Sequence, residues 1–295
     1  MNLGRAKLIL IIVFAGLNLF LAYHLFWPDF GRLTKVAIKI EDLKKTQTVL
    51  NENNYFLDAS FNRAVQMSDF LTVTPSAKLQ QHILMYFIAE GAQIDYGDKI
   101  IYFNREGERA VVHSNGLIQI IYEPGLEINA NSSLFSKQEI RSNIESVLKE
   151  KAVMPEGFFH DYIEEDENGN INFYYYQILN EMPVFTGQMK VVLKEQKIVS
   201  VDIYWLDMVE IIPSREMEVI SATDALNNLV AELGPSPEPG HIKEVTLGYF
   251  SGEYEAEKWE IPPVWRIVLD DHTHYYINAF TGNLEQEGII PDQLQ

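Results

Sequence analysis

The stretch that decides the fold reads Ser221-Ala-Thr-Asp-Ala-Leu-Asn-Asn-Leu-Val-Ala-Glu-Leu233, and Gly234-Pro235 follows it. Ser221 and Asp224 have the spacing of a capping box, in which each residue's side chain accepts a hydrogen bond from the other's backbone N–H. The apolar side chains recur at i, i+3, i+4 and i+7, which predicts an amphipathic helix that ends at Gly234 and Pro235. Strands are predicted after it at residues 243–250, 264–269 and 274–280, with a turn at Thr281-Gly-Asn283.

An equivalent helix is predicted to begin at Ser136-Lys-Gln-Glu139, which has the same capping-box spacing. Its apolar face consists of Ile140, Ile144, Val147 and Leu148. Turns separate the strands that follow, at Asn168-Gly169, Glu181-Met-Pro183 and Glu195-Gln196. The last of these strands alternates, with Val199, Val201, Ile203 and Trp205 on one side and Ser200, Asp202 and Tyr204 on the other. This alternation predicts one buried sheet face.

A further helix is predicted after Pro75, since Leu79, Ile83, Tyr86 and Phe87 have helical spacing and Gly91 follows them. Strands are predicted next, at residues 100–103, 109–113 and 117–122, separated by Asn104-Arg-Glu-Gly107 and Ser114-Asn-Gly116. Helices that recur before antiparallel strands predict an α+β fold, in which helices pack on one face of each antiparallel sheet.

The N-terminal run from Leu8 to Trp27 is twenty residues long and carries no charge. At about 1.5 Å per residue a helix of this length matches a hydrocarbon core of about 30 Å, so residues 8–27 are predicted to span a membrane once. The alternative is a cleaved signal peptide, which has a shorter apolar core and small residues at its exit. Here the exit is Leu25-Phe-Trp-Pro28, which favours an anchor.

The positive-inside rule alone does not orient this span, because Arg5 and Lys7 on the short side face five basic residues on the long side. A short basic N-terminus resembles the cytoplasmic end of a signal anchor, and long domains translocate largely regardless of charge. Residues 1–7 are therefore predicted to be cytoplasmic and the bulk of the chain extracytoplasmic. Within that bulk we predict a stalk leading into the first domain (28–74), a first α+β domain (75–130) and a second α+β domain (131–295).

The composition excludes several classes of function. The chain has 42 acidic and 23 basic residues and a formal net charge of −19, so its field repels nucleic acid. It has no Cys, which excludes disulfides, thiolate zinc sites and a thiol nucleophile.

Two stretches have the residue types of metal sites. In Asp270-Asp-His-Thr-His274, the two His side chains would share a face if the stretch were a strand, but a polar tip between two strands is the favoured interpretation. Glu164-Glu-Asp-Glu-Asn-Gly-Asn170 has the composition of a calcium loop without the EF-hand spacing, so an acidic hairpin turn is predicted.

The remaining acidic run, Glu253, Glu255, Glu257 and Glu260, is interpreted as a solvated face. The chain contains no nucleophile elbow, zincin motif or phosphate-binding glycine loop. We therefore expect a protein that is not an enzyme and that has no cofactor and no metal ligands.

Several stretches resemble the YycI family, beginning with Lys7-Leu-Ile-Leu-Ile-Ile-Val-Phe14 and Leu17-Asn-Leu-Phe-Leu21. The C-terminal half has further similar stretches, at Tyr174-Tyr-Tyr176, Met182-Pro-Val-Phe185, Ile220-Ser-Ala-Thr-Asp-Ala-Leu226, Val245-Thr-Leu-Gly-Tyr249, Pro263-Val-Trp-Arg-Ile267 and Tyr276-Ile-Asn-Ala-Phe-Thr-Gly282. The last of these is also similar to PepSY-type modules. The resemblance implies a membrane protein of low-GC Gram-positive-type bacteria with two extracytoplasmic α+β domains. It also implies a regulator that associates, together with a YycH-like protein, with the sensor histidine kinase of the two-component system controlling cell-wall metabolism.

One stripe of the predicted span carries small or polar residues, namely Ala15, Asn18 and Ala22. Small residues let transmembrane helices approach, and an amide provides an interhelical hydrogen bond, so this stripe is predicted to contact the kinase or the YycH-like protein. The alternative function is an extracytoplasmic PepSY-like binding or protease-inhibitory module. A concave aromatic site would favour that alternative, with Tyr174, Tyr175, Tyr176, Trp205, Trp259 and Trp265 as its candidates, whereas core packing is the plainer interpretation.

Overall fold

The structure is a computed structural model, and it describes residues 7, 13–18, 38–62, 67–88, 92–103, 108–128, 136–154, 156–211, 217–252 and 256–288. From residue 38 onward the described residues form four α-helices: α1 Ile40–Glu52, α2 Ala77–Ile88, α3 Lys137–Glu150 and α4 Ala222–Leu233. They also form eighteen strands: β1 Tyr55–Leu57, β2 Met67–Ser68, β3 Leu71–Pro75, β4 Ala92–Asp95, β5 Lys99–Phe103, β6 Arg109–His113, β7 Ile118–Glu127, β8 Phe158–Glu165, β9 Ile171–Leu179, β10 Met182–Lys194, β11 Lys197–Tyr204, β12 Leu206–Ile211, β13 Met217–Glu218, β14 Gly240–Tyr249, β15 Trp259–Ile261, β16 Pro263–Leu269, β17 His274–Asn278 and β18 Leu284–Gly288.

Eight antiparallel strands form what we call the meander sheet, in the order β8-β9-β10-β11-β7-β6-β5-β4. Helices α2 and α3 cover one face of it. Ile83 of α2 and Ile144 and Leu148 of α3 pack there against inward side chains such as Met189 and Ile120. The residues packed between this face and the two helices form the largest hydrophobic core of the described chain.

The C-terminal sheet has the order β1-β14-β16-β17-β18, and α4 and α1 pack on one face of it. Leu50 of α1 and Leu226 and Leu229 of α4 are fully buried there. Strand β1 runs parallel to β14, which is an exception to the antiparallel pattern. The segment predicted to be a stalk therefore contributes α1 and β1 to this C-terminal core.

The two sheets meet where β10 passes from one to the other. Its second half lies between β9 and β11, whereas Val184 in its first half pairs in parallel with Tyr249 of β14. Gly248 is required at this crossing, because an added Cβ would lie 2.6 Å from Phe185 Cε2 and 2.7 Å from the Pro183 carbonyl oxygen. A smaller sheet, β12-β3-β15, packs beside the crossing, and β13 pairs with β2.

Most predicted elements are confirmed. Both capping boxes form, at Ser136 with Glu139 and at Ser221 with Asp224. Helix α2 follows Pro75, and the hairpin turn before β7 contains Gly116 at a φ of 97°. The α+β class with predominantly antiparallel sheet is likewise confirmed. The predicted turn at residues 104–107 and the helix end at Gly91 lie outside the described residues.

The alternation predicted for β11 is wrong at its first valine. The β10–β11 register shifts between Val192 and Leu193, so that Ile198, and not Val199, joins Val201 and Ile203 in the core. One extra residue in a strand changes which positions face inward, which is the effect of a β-bulge.

The predicted span, residues 8–27, lies mostly outside the described residues, and within it residues 13–18 are helical. No helix in the described part of the chain is both long and apolar enough to cross a membrane. The division between residues 130 and 131 stays a prediction; β7, which precedes it, pairs with β11, which follows it.

Candidate functional site

The most unusual chemistry in the fold is a buried arginine on β16. The even-numbered and odd-numbered residues of this strand face opposite sides, and Trp265 and Ile267 enter the core beneath α4. Arg266 therefore faces the other side, where the β8–β9 hairpin of the meander sheet covers it, and only 1% of its surface is exposed. A buried guanidinium requires charged partners, because its desolvation is otherwise very unfavourable.

Two carboxylates supply that compensation from different strands. Arg266 Nη1 donates to Asp161 Oδ2 of β8 at 2.8 Å, and Nη2 donates to Glu244 Oε1 of β14 at 2.7 Å. Burial alone would lower the pKa of Arg266, but the attraction of the two carboxylates outweighs it and holds the pKa above its ordinary value. The group stays charged at every physiological pH.

Aromatic rings enclose the rest of the guanidinium. Its carbon lies 4.2 Å from the ring centre of Phe185 and 5.0 Å from that of Tyr176, which are cation–π distances. Phe250 stacks on Tyr276 with 3.8 Å between ring centres and completes the apolar wall. Arg266 is thus held by charge on one side and by ring faces on the other.

His274 of β17 lies beside this cluster, with 1% of its surface exposed. Neither ring nitrogen has a hydrogen-bond partner among the described residues. Burial and then the positive charge of Arg266 lower the pKa of His274 to about 4, so the imidazole is neutral at pH 7. The site therefore keeps one permanent cation and one neutral imidazole close together.

A stack of three rings leads from this site to the edge of the meander sheet. Tyr162 lies between Tyr174, at 4.5 Å, and His272, at 4.9 Å, with nearly parallel planes. His272 belongs to the turn between β16 and β17, at a φ of 65°. The stack joins the tip of the C-terminal sheet to strands β8 and β9.

The arrangement holds two sheets in one orientation. Both carboxylates bind Arg266, and the rings of Tyr162 and Tyr276 lie beside the neutral His274. Removing one partner of a buried ion pair is strongly unfavourable, so the pairing selects one relative position of β8, β14 and β16.

The two stretches with the residue types of metal sites have other roles. The hairpin predicted at residues 270–274 is present, since Leu269 N donates to Thr273 O at 3.0 Å. His274, however, is buried in β17 and is not part of an exposed tip. In the other stretch, Asp166 Oδ1 accepts from the backbone N–H groups of Asn168 and Asn170, which confirms a hairpin turn. The Asn170 side chain, which donates to Asp166 Oδ2, and then these backbone bonds lower the pKa of Asp166.

No group of three or more acidic or His side chains suited to a metal ion occurs among the residues that the structure describes. Glu257 and Glu260 are exposed, and Glu253 and Glu255 lie outside the described residues.

The six aromatic candidates do not converge on one surface. Tyr175 and Trp205 pack in the core of the meander sheet, and Trp265 packs beneath α4. Trp259 packs with the small sheet. Tyr174 belongs to the ring stack and Tyr176 to the arginine cluster. No observation of the described chain therefore favours an aromatic ligand-binding site built from them.

Of the predicted transmembrane stripe, Ala15 and Asn18 lie in the helical residues 13–18 and are exposed, whereas Ala22 lies outside the described residues. The stripe stays a prediction.

Sequence reasoning did not single out Arg266. A detectable signal was present, because one arginine interrupts the otherwise apolar strand Val264-Trp-Arg-Ile-Val-Leu269. A charge in a strand with two covered faces indicates a buried ion pair.

A family model described as YycI protein matches residues 33–280. The chain belongs to the YycI family. This is a family of two-component regulators and not of known enzymes. None of the curated proteins matches this YycI-family chain.

Among solved structures, the YycI-family chain is similar to an uncharacterized protein from Eubacterium rectale ATCC 33656, with 13% identity and a TM-score of 0.50 over 83% of this chain and 98% of that chain. It is also similar to YycH from Bacillus subtilis, with 15% identity and a TM-score of 0.41 over 70% of this chain and 52% of that chain. At such identities the first likeness shows a shared fold and nothing about activity.

Proposed function

We propose that this chain is a membrane-anchored accessory regulator that acts on a sensor histidine kinase of a cell-wall-controlling two-component system, together with a YycH-like protein. The family match over residues 33–280 is the observation that carries this proposal.

The anchor in this proposal is the uncharged run of residues 8–27, with residues 1–7 in the cytoplasm and the remainder outside the cell membrane. Helix α1 begins at Ile40, twelve residues after Pro28, and buries Thr46 and Leu50 in the C-terminal core. In this proposal a displacement of the anchor acts on α1 and, through the residues that α1 buries, on the C-terminal sheet.

The proposed contact with the kinase includes the stripe Ala15, Asn18 and Ala22. In lipid, association between helices depends on packing and on polar groups, and an interhelical bond of Asn18 is worth about 0.6 to 2 kcal/mol. That range corresponds to roughly a three- to thirty-fold change in association.

The test is co-purification of the full chain with the sensor kinase from membranes. Asn18→Leu, Ala15→Leu and Ala22→Leu are expected to reduce recovery of the kinase, and Leu10→Ala is the control within the same span. Equal recovery of the kinase with all four variants would show that the stripe is not the contact and that the exported part of the chain carries it. No recovery with the unaltered chain would overturn the proposed function.

Membrane attachment has its own test. The full chain is expected to stay with membranes after alkaline carbonate washing, because a spanning helix is effectively irreversibly inserted. A shortened soluble form released from intact cells would instead show cleavage.

A further inference from the structure

A cavity of about 180 Å³ lies beside strand β7, and none of the residues of the arginine cluster line it. Its lining comes from three segments of the described chain: Glu108 before β6, residues 122–126 of β7, and Lys151 at the C-terminus of α3. Pockets for drug-sized molecules have volumes of roughly 300–1,000 Å³. This cavity is therefore suited to a smaller molecule.

The cavity follows a bend in β7, where this strand leaves its regular pairing with β11. Ile121 pairs with Ser200 and Leu126 pairs with Ile198, so residues 122–125 of β7 lie opposite a single residue of β11. Surplus residues in one strand form a bulge, which bends that strand away from its partner. Bulges of this kind are over-represented beside functional sites.

The sequence of the bulge is suited to this departure from the ladder. Pro124 has no N–H to donate to a neighbouring strand. Gly125 has a φ of 105°, which side chains other than that of glycine rarely adopt. A Cβ added at Gly125 would also lie 3.0 Å from the Cβ of Lys197. Glycine therefore permits both the conformation and the close approach at the cavity wall.

A pair of opposite charges lies in the wall of the cavity. Lys151 Nζ donates to Glu108 Oε1 at 3.4 Å, and the Glu108 side chain is only 8% exposed. Tight bonds between an ammonium and a carboxylate are shorter, at roughly 2.7–2.9 Å. A buried carboxylate is costly unless it is well compensated, so Glu108 gains from a second cationic group in the cavity.

The other acidic residue of the lining has its own cation. Glu123 Oε1 accepts from Arg109 Nη2 at 2.6 Å. The four charged side chains Glu108, Lys151, Glu123 and Arg109 therefore sum to zero. A plain cation meets Lys151 as well as Glu108, and a plain anion meets the reverse, whereas a molecule with both charges matches both residues.

The remaining walls are largely apolar. Tyr122 is 4% exposed, and Pro124 and Leu126 complete the lining at the bend of β7. An apolar group of a ligand that covers these walls is removed from water, which is favourable. The cavity thus combines a charged pair with an apolar surface beside it.

We propose that this cavity binds a free α-amino acid with an apolar side chain. The ammonium group of the ligand contacts Glu108 and its carboxylate contacts Lys151, so that the two charged pairs lie antiparallel and every charge adjoins an opposite one. Both charges of an α-amino acid are attached to the same carbon, and this short spacing suits a protein pair 3.4 Å apart. The ligand side chain lies against Pro124 and Leu126.

The small size of the ligand limits its affinity. Leucine has about nine non-hydrogen atoms, and at the affinity per atom usual for small ligands we expect a Kd of roughly 0.1 to 1 mM. Binding of this strength responds to changes in the concentration of a free metabolite. The inference goes beyond the proposed function and does not depend on the kinase or the anchor.

The test is a saturation-transfer NMR titration of the full chain in detergent with three probes of similar shape. Leucine carries both charges, leucinamide lacks the carboxylate, and 4-methylpentanoate lacks the ammonium group. We expect leucine to bind, and the other two to bind at least about tenfold more weakly, because each loses its bonds to one charged residue.

Variants of the charged pair locate the binding in this cavity. Glu108→Gln and Lys151→Gln are each expected to raise the Kd of leucine at least about tenfold. Lys151→Arg keeps the positive charge and is expected to retain binding within a few-fold. Glu41→Gln and Lys45→Gln are the matched controls, since these residues form an exposed ion pair on α1, and both are expected to leave the Kd unchanged.

Unfolding of each variant in denaturant shows whether it is folded. If Glu108→Gln fails to fold, Lys151→Gln decides, because the Lys151 side chain is 26% exposed and its loss leaves less of a defect. The absence of leucine binding at about tenfold above the expected Kd would overturn the proposal. So would equal binding of leucinamide, which indicates a plain cation site, equal binding of 4-methylpentanoate, which indicates a plain anion site, or an unchanged Kd in a folded Lys151→Gln variant.

Discussion

Arg266 and Asp161 are 105 residues apart in the sequence, yet Arg266 Nη1 lies 2.8 Å from Asp161 Oδ2 and joins β16 of the C-terminal sheet to β8 of the meander sheet. Glu244 binds the other end of the guanidinium. One buried side chain therefore links the two sheets through ion pairs, in addition to the crossing of β10, which makes that side chain the first target for mutation.

Arg266→Met is expected to lower the free energy of unfolding by about 3 to 5 kcal/mol, because it leaves the largely buried Asp161 carboxylate, 12% exposed, without its cation. Glu244 contributes less to this loss, since its side chain is 37% exposed. Denaturant midpoints of the detergent-solubilised chain, followed by Trp fluorescence, measure the change. Lys197→Met is the control, since the Lys197–Glu127 pair is exposed and is expected to contribute less than about 1 kcal/mol. Similar small losses for both variants would show that the buried pair does not stabilise the fold.

His274→Gln is expected to change how stability depends on pH. The folded-state pKa of His274 is about 4, below the ordinary 6.5, so the unfolded chain binds the proton first. The neutral imidazole therefore contributes to the free energy of unfolding in full above pH 6.5. This contribution falls by roughly 3 kcal/mol as the pH falls toward 4. Unfolding free energies measured from pH 7 to pH 4 should therefore fall less steeply for His274→Gln than for the unaltered chain. His82→Gln, exposed on α2, is the matched control variant.

Asp202→Asn is expected to increase stability, and to do so at neutral pH and not at acidic pH. Burial raises the folded-state pKa of Asp202 from 3.8 to about 6, so its favourable contribution is present below 3.8 and is lost as pH rises through 6. The variant should be more stable than the unaltered chain at pH 7, by roughly 1 to 3 kcal/mol, and should have little advantage at pH 4. Thermal unfolding at the two pH values measures this. Asp98→Asn, on an exposed turn, is the control variant. An equal gain in stability at pH 7 for Asp98→Asn would show that burial of Asp202 is not the cause.

Gly248→Ala is expected to destabilise the crossing between the sheets by about 2 to 3 kcal/mol, because the new methyl group meets the Phe185 ring and a backbone carbonyl oxygen that cannot move away. Gly169→Ala is the control. It lies in an exposed turn at a φ of 76° with no atom within 4 Å of the added Cβ, so only backbone strain of about 1 kcal/mol is expected. Melting temperatures of the two variants distinguish steric overlap from strain.

Local features could be predicted from the sequence, because the groups that form them are a few residues apart. The capping boxes at Ser136 and Ser221 each use a partner three residues away, and Gly234 ends α4 at a φ of 72°. The Asn-Gly turn before β7 and the apolar stripe of α4 depend equally on short spacings. The sequence by itself therefore determined the order of helices and strands and the α+β class.

Long-range relationships were decided only in the tertiary structure. Nothing within β7 indicates that its partner is β11, and the burial of α1 against α4 depends on contacts across most of the chain. The extra residue at Val199 and the two carboxylates of Arg266 likewise depend on which strands lie side by side. Strand pairing and the desolvation of a charge are set by neighbours that are distant in sequence. Spacing along one segment therefore predicts its shape but not what covers it.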